Sequence, residues 1–169
     1  MAYQVARDVF VVGLRNAHAM EVQARELMER QSERLTDFPK LQVRVRQHLS
    51  ETNEQLRRLE QCLDALNESH STLKDAAMST LANLAALGHA VAGDEILKNT
   101  FANNAFEHYE IAVYKALLVL AKQSGASSTE PPLRQSLEEE HRMAAWIEDN
   151  IEDITLSYLA EEERKKTAA

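Results

Sequence analysis

Apolar residues recur at alternating steps of three and four along nearly the whole chain, the spacing of one face of a helix. A first segment, about Tyr3 to Leu35, carries Phe10, Leu14, Ala17, Glu21, Ala24, Met28, Gln31 and Leu35 on one such line. It breaks at Thr36-Asp37-Phe38-Pro39, where an Asp or Thr cap and a first-turn proline can start the next helix. The second segment, about Pro39 to Asn67, has the seam Val45, Leu49, Thr52, Leu56, Leu59, Leu63 and Leu66. Glu68-Ser69-His70-Ser71 reads as a turn, followed by a shorter helix over about Thr72 to Leu87. Gly88 and Gly93 bracket its end, and Asp94 suits the N-cap of a long helix to about Gln123. The polar stretch GASSTEPP at 125–132 is the next break, and its prolines suit the first turn of a last helix reaching about Leu159. That helix has the most regular seam: Leu133, Leu137, Glu140, Ala144, Ile147, Ile151 and Ile154.

Four long helices at 1.5 Å per residue span about 40–50 Å each. Short connections make two antiparallel hairpins, and the middle segment lets the chain cross between them. The expectation is a single all-α domain over residues 1–169: a four-helix bundle of ferritin-like connectivity, with an additional short helix in the crossover. A coiled-coil assembly is the competing fold, but the short connections favour packing within one chain.

Composition agrees and narrows the partners. Only 4 Gly and 3 Pro leave little punctuation for a sheet protein. A formal charge of −8 argues against nucleic acid or an anionic membrane, both of which attract basic surfaces. The basic tail Arg164-Lys165-Lys166 follows Glu161-Glu162-Glu163 and does not change that balance. The single Cys62 cannot form an internal disulfide, which suits a reducing compartment. The apolar run VFVVGL, with Ala17-His18-Ala19 after it, is too short for a signal peptide and Asp8 precedes it. No stretch approaches the ~20 apolar residues of a membrane span. A cytoplasmic protein is the default expectation.

Against that apolar patterning, three glutamates stand out. Glu21 and Glu140 lie on the seams above, and Glu110 lies on Phe106, Glu110, Val113, Leu117 and Leu120. Glu107 is one helical turn from Glu110, so the two repel unless a cation is near. On the second helix Glu51 falls beside His48, Gln55 and Cys62 at the edge of the apolar face, whereas Glu54 points to solvent. Level matters too. The midpoint of 21 and 51 is the turn at Thr36, so these two share a height in an antiparallel hairpin. Glu110 and Glu140 match if the loop after Gln123 climbs roughly 8 Å. Glutamates converging from four helices need a cation, and hard oxygen donors suit a pair of iron or manganese ions. The plain alternative is that each glutamate reaches water at a seam's edge.

The chain resembles the YciE/YciF-type ferritin-like stress proteins of bacteria over nearly its whole length. The most specific pieces are GLRNAHAMEVQ at 13–23, HLSETNEQLRRLE at 48–60, EHYEIAVY at 107–114 and LEEEHRMAAWI at 137–147. The resemblance implies a helical bundle related to rubrerythrin and ferritin, with a di-metal carboxylate centre, and a homodimer. The wider superfamily pattern is one Glu from the first bundle helix, Glu plus His from the second, Glu from the third, and Glu plus His from the fourth. Carried over, Glu21, Glu51, the Glu107/Glu110 pair and Glu140 fill the carboxylate positions. The histidines are missing: Glu54 and Gln55 follow Glu51 at three and four residues, and Met143 and Ala144 follow Glu140. His48 and Gln55 are candidates for supporting partners or a substitute ligand.

Other residues have ordinary readings. Tyr109 and Tyr114 follow the glutamate pair and are expected mainly to pack. Cys62 reads as a small core residue, Trp146 as packing, and His141 as surface. The implied function is oxygen or peroxide chemistry, or metal handling, on two metal ions, iron first and manganese second. The alternative is a non-catalytic structural or interaction bundle with a degenerate centre. DNA protection by a miniature-ferritin assembly is disfavoured by the acidic balance.

Overall fold

Helix ends in this protein follow local chemistry, and most lie where the sequence places them. The structure is a computed structural model and describes residues 2–68 and 95–168. Four long helices, α1 (Ala2–Arg34), α2 (Pro39–Ala65), α3 (Glu95–Gln123) and α4 (Glu130–Thr167), are joined by short turns and one longer connection. A 3-10 turn at Ser127–Thr129 leads into α4. No strand occurs among the described residues. The helix expected over 72–87 and the cap at Asp94 lie outside the described residues.

α2 starts at Pro39 without a side-chain cap. The capping position falls to Phe38 rather than Thr36 or Asp37, and its ring is buried instead. Proline at the first helical position has no N–H to satisfy, which lessens the need for a polar cap. α2 ends with Asn67 in the left-handed region (φ 57). There Asn67 N–H donates to the Asp64 carbonyl at 2.9 Å and Glu68 N–H to Leu63 at 3.0 Å, the paired bonds of a Schellman ending. α3 ends in the same way at Gly125 (φ 64), with Gly125 N–H to Lys122 and Ala126 N–H to Ala121. α4 carries Pro131 and Pro132 in its first turn but runs past the expected Leu159 to Thr167. Past its last seam residue, Glu161 bonds Arg164 and Glu162 bonds Lys165 along the helix. Cations in the last turn also oppose the helix dipole.

Cross-helix bonds fix the arrangement. α1 lies antiparallel to α2 (Arg15 to Glu68, Gln42 to the Ser32 carbonyl) and to α3 (Gln31 with Asn103). α4 lies antiparallel to α2 (Lys40 with Asp153) and to α3 (His108 with Glu148). α1 is therefore diagonal to α4, and α2 is diagonal to and parallel with α3. The connection from α2 to α3 joins opposite ends of the bundle, which is the single crossover expected. Gly13 lets α1 and α3 approach closely, since a Cβ there would stand 2.9 Å from Leu117 Cδ2.

Two apolar clusters fill the interior. One joins Phe10, Leu14, Ala17 and Met20 to Leu59, Leu63, Tyr114, Leu117 and Leu133. The other joins Ala24, Met28 and Leu35 to Phe38, Leu41, Val45 and Ile154. The sequence numbers leave a gap at mid-height on each helix, between Met20 and Ala24 on α1 and between Val45 and Leu59 on α2. That gap is where the polar residues lie.

Gly125 offers a direct check. Its positive φ and the Tyr3 ring, 3.0 Å from where a Cβ would sit, both oppose a side chain. Gly125→Ala should lower stability by about 1–2 kcal/mol in denaturant unfolding; an unchanged midpoint would contradict this account of the α3 ending.

Candidate metal centre

At mid-height each helix turns a polar residue inward because the line of its apolar face runs through one. On α1 that residue is Glu21, between Ala17 and Ala24; on α4 it is Glu140, between Leu137 and Ala144. α3 supplies Glu107, Glu110 and Tyr114. α2 supplies His48, Thr52 and Gln55, so its inward face is rotated from the expected leucine seam and Leu49 is only half-buried. Glu21, His48, Gln55, Glu110 and Glu140 are each at most 1% exposed, which rules out the reading that these glutamates reach water.

His48 is the hub. Its Nδ1 lies 3.0 Å from Glu51 Oε2, while Nε2 lies 3.2 Å from Glu107 Oε2 and 3.3 Å from Glu140 Oε2. A single N–H can satisfy only one of those last two oxygens at a time. Glu51 is also held by Arg44 at 3.2 Å and Arg142 at 3.6 Å. The Tyr114 hydroxyl donates to Glu21 Oε1 at 2.6 Å. The Gln55 amide donates to Glu139 Oε2 at 3.0 Å and, closely, to Glu140 Oε1. Arg58 donates through both terminal nitrogens to the two oxygens of Glu139.

The charges are unevenly balanced. Burial pushes the Glu21 carboxyl up to about 7, against the Tyr114 hydrogen bond that lowers it. Burial, with Glu21 and the neighbouring glutamates, holds Glu110 well above the usual range, and burial does the same to Glu140 despite its bond to His48. Burial opposes a charge on His48, but Glu107, Glu140 and Glu51 outweigh it and raise its pKa well above an ordinary imidazole. Burial also opposes a charge on Glu51, but His48 and Arg44 prevail and hold its carboxyl near 2.

The donor set fits a cation. One ligand atom from each of His48, Glu107, Glu110 and Glu140 lies within 4.8 Å of the others, and this buried group could bind a metal ion. Glu21 Oε2 and Glu110 Oε1 are buried without a hydrogen-bond partner, a costly state for carboxylate oxygens. Of the five glutamates expected from sequence, Glu107, Glu110 and Glu140 belong to this group. Glu21 lies in the same chamber, close enough to shift Glu110, but outside the group. Glu51 sits at the rim, one residue off the inward-facing Thr52.

His48, named from the sequence only as a supporting partner or substitute ligand, stands at the middle of the candidate group, off the leucine line that a search for apolar seams follows. The Arg58–Glu139 pair was equally hidden, since neither residue lies on a seam. Glu54, Tyr109, His108 and His141 are exposed, whereas Cys62 is buried in the apolar cluster away from the centre.

A family model described as a domain of unknown function (DUF892) matches residues 5–160. The chain belongs to that family. It is also similar to Protein YciF of Escherichia coli (strain K12), 30% identical over 151 residues, covering 83% of this chain and 86% of that protein. A Xanthomonas campestris crystal structure is 30% identical, covers 94% of this chain and 99% of its own, and superposes with a TM-score of 0.78. The crystal structure of the E. coli stress protein YciF is 26% identical, covers 89% and 96%, and gives a TM-score of 0.72. The YciF-type family and its all-α bundle are thus shown for this chain, and the buried His/Glu group lies within the matched region.

The shifted carboxyls predict how the metal-stripped protein responds to pH. Glu21 binds its proton more tightly folded (about 7) than at its usual 4.5. Its contribution is therefore full below 4.5 and lost as pH rises through about 7. Glu51, held near 2, contributes fully above 4.5 and loses that as pH falls toward 2. In chelator, the melting temperature should peak near pH 4.5–5 and decline toward neutrality, roughly bounded by these two windows. A steady rise from about pH 5 to about pH 8 would contradict the assignment.

Proposed function

We propose that this protein is a ferritin-like metal-binding bundle whose centre holds iron, or manganese in its place, for oxygen or peroxide chemistry or metal handling under stress. The observation that carries the reading is the set of four buried carboxylate oxygens without a hydrogen-bond partner, Glu21 Oε2, Glu107 Oε2, Glu110 Oε1 and Glu140 Oε2, around His48. A divalent cation satisfies such oxygens without requiring each carboxylate to stay protonated. Carboxylate oxygens with one imidazole suit iron or manganese better than soft, thiol-seeking ions.

In this reading His48, Glu107, Glu110 and Glu140 hold the metal, and Glu21 is a further carboxylate beside them. Glu51 takes the Nδ1 side of His48 and leaves Nε2 facing the centre, the way carboxylates orient metal-binding imidazoles. Tyr114 keeps one oxygen of Glu21 occupied and aims the other. A redox-active ion bound there supplies electron transfer to an oxidant. The carboxylate-bridged pair of ions implied by the superfamily pattern is one form of this reading. The link to stress comes from similarity to the E. coli stress protein. The homodimer implied by the family resemblance is kept as part of this proposal.

A second reading, a structural bundle with a degenerate centre, is favoured by Gln55 and Met143. Both are fully buried in the region where the superfamily pattern has histidines. Metal analysis separates the two. Protein purified without chelator and reconstituted anaerobically should hold iron or manganese, and less than about half an equivalent of any transition metal would contradict the first reading. Glu110→Leu should then lose metal and melt lower in metal-replete buffer. A structural bundle predicts that the same change leaves the melting temperature unchanged or raises it, because a buried carboxylate is removed.

A further inference from the structure

The side chains that α2 and α4 turn toward the centre differ in kind from those a two-ion site requires. We propose that the centre takes a single divalent cation on His48, Glu107, Glu110 and Glu140, and that Thr52, Gln55 and Met143 close off a second position. This rests on the metal-binding reading above and narrows it.

A carboxylate-bridged pair needs glutamates that can give one oxygen to each ion, plus further donors from both helix pairs. Here some of those oxygens are engaged within the protein. Glu140 Oε1 accepts from the Gln55 amide, and its Oε2 faces His48. Glu21 Oε1 takes the Tyr114 hydroxyl. Glu51 spends its oxygens on His48, Arg44 and Arg142 at the rim. Glu21 Oε2, Glu107 Oε2, Glu110 Oε1 and Glu140 Oε2 keep no hydrogen-bond partner, and they face the His48 side, so what a second ion lacks is donors from the neighbouring turns of α2 and α4.

The replacement donors are also wrong. Thr52 turns its hydroxyl back to the His48 carbonyl at 3.0 Å, so it is tied within its own helix. Gln55 presents N–H donors to Glu139 and Glu140, and turning the amide over would set its oxygen against two carboxylates. Its free Oε1 is a neutral oxygen that brings no charge to offset a second ion. Met143, one turn from Glu140 and 1% exposed, offers a soft thioether to a hard cation.

The test is titration of metal-stripped protein with Mn(II) under anaerobic calorimetry, with electron paramagnetic resonance of the loaded sample. The expected result is about one equivalent and the hyperfine-split spectrum of an isolated ion. About two equivalents with an exchange-broadened spectrum would overturn the single-ion proposal and leave the metal-binding reading standing. No binding of Mn(II), nor of Fe(II) in a parallel anaerobic titration, would overturn both. A Thr52→Glu/Gln55→His double variant, shown folded by circular dichroism, should take up about twice as much Mn(II). If it folds and still binds as much as the wild type, the side chains named are not what closes the second position. If it does not fold, the wild-type titration alone decides.

Discussion

Everything at the middle of this bundle follows from enclosing four glutamates, Glu21, Glu107, Glu110 and Glu140, around one histidine at no more than 4% exposure. Removing a carboxylate from water is unfavourable by several kcal/mol unless it is neutralised or paired. Protonation is one solution, and burial pushes the carboxyls of Glu21, Glu110 and Glu140 in that direction. A bound cation is the other, and it leaves no oxygen stranded.

The surrounding architecture isolates this arrangement. Apolar clusters lie on either side along the bundle axis, so the chamber is sealed by packing at both ends. Along α2, two ion pairs bracket the inward face: Arg44, one turn before His48, with Glu51, and Arg58, one turn after Gln55, with Glu139. Each arginine neutralises a glutamate at the rim, which leaves only His48 to face the inner carboxylates. The α1–α3 side contributes the Tyr114–Glu21 bond, a neutral donor where α2 has cations. The chamber is therefore lopsided: among the described residues its fixed positive charge, Arg142 of α4 included, gathers where α2 meets α4.

Much of this was legible in the sequence. The α1 seam from Phe10 to Leu35 is buried throughout, and the α4 seam is buried except at Ile151, which is half-buried. Both helices have one apolar line interrupted by a single glutamate, so periodicity finds the face and its exception together. α2 was harder, because its inward face at mid-height is itself polar. Hydrophobic periodicity favours Leu49, and the helix instead buries His48 and Gln55. Glu51 was drawn toward the site for the same reason, and the structure places it at the rim as the partner of His48 and Arg44. The match in height between Glu110 and Glu140 depended on the loop after α3. The Schellman ending at Gly125 and the 3-10 turn at Ser127–Thr129 set that geometry, and neither is visible in a seam. The run of α4 past Leu159 shows that exposed ion pairs can continue a helix after its apolar stripe has ended.

Membership of the YciF-type family gives the bundle, but what the centre can bind depends on the side chains that line it. Anomalous diffraction from crystals of metal-replete protein, recorded at the iron and manganese edges, tests that account most directly. It predicts a peak enclosed by His48 Nε2 and the carboxylates of Glu107, Glu110 and Glu140. Density showing these side chains hydrogen-bonded to one another with no anomalous peak among them would contradict it.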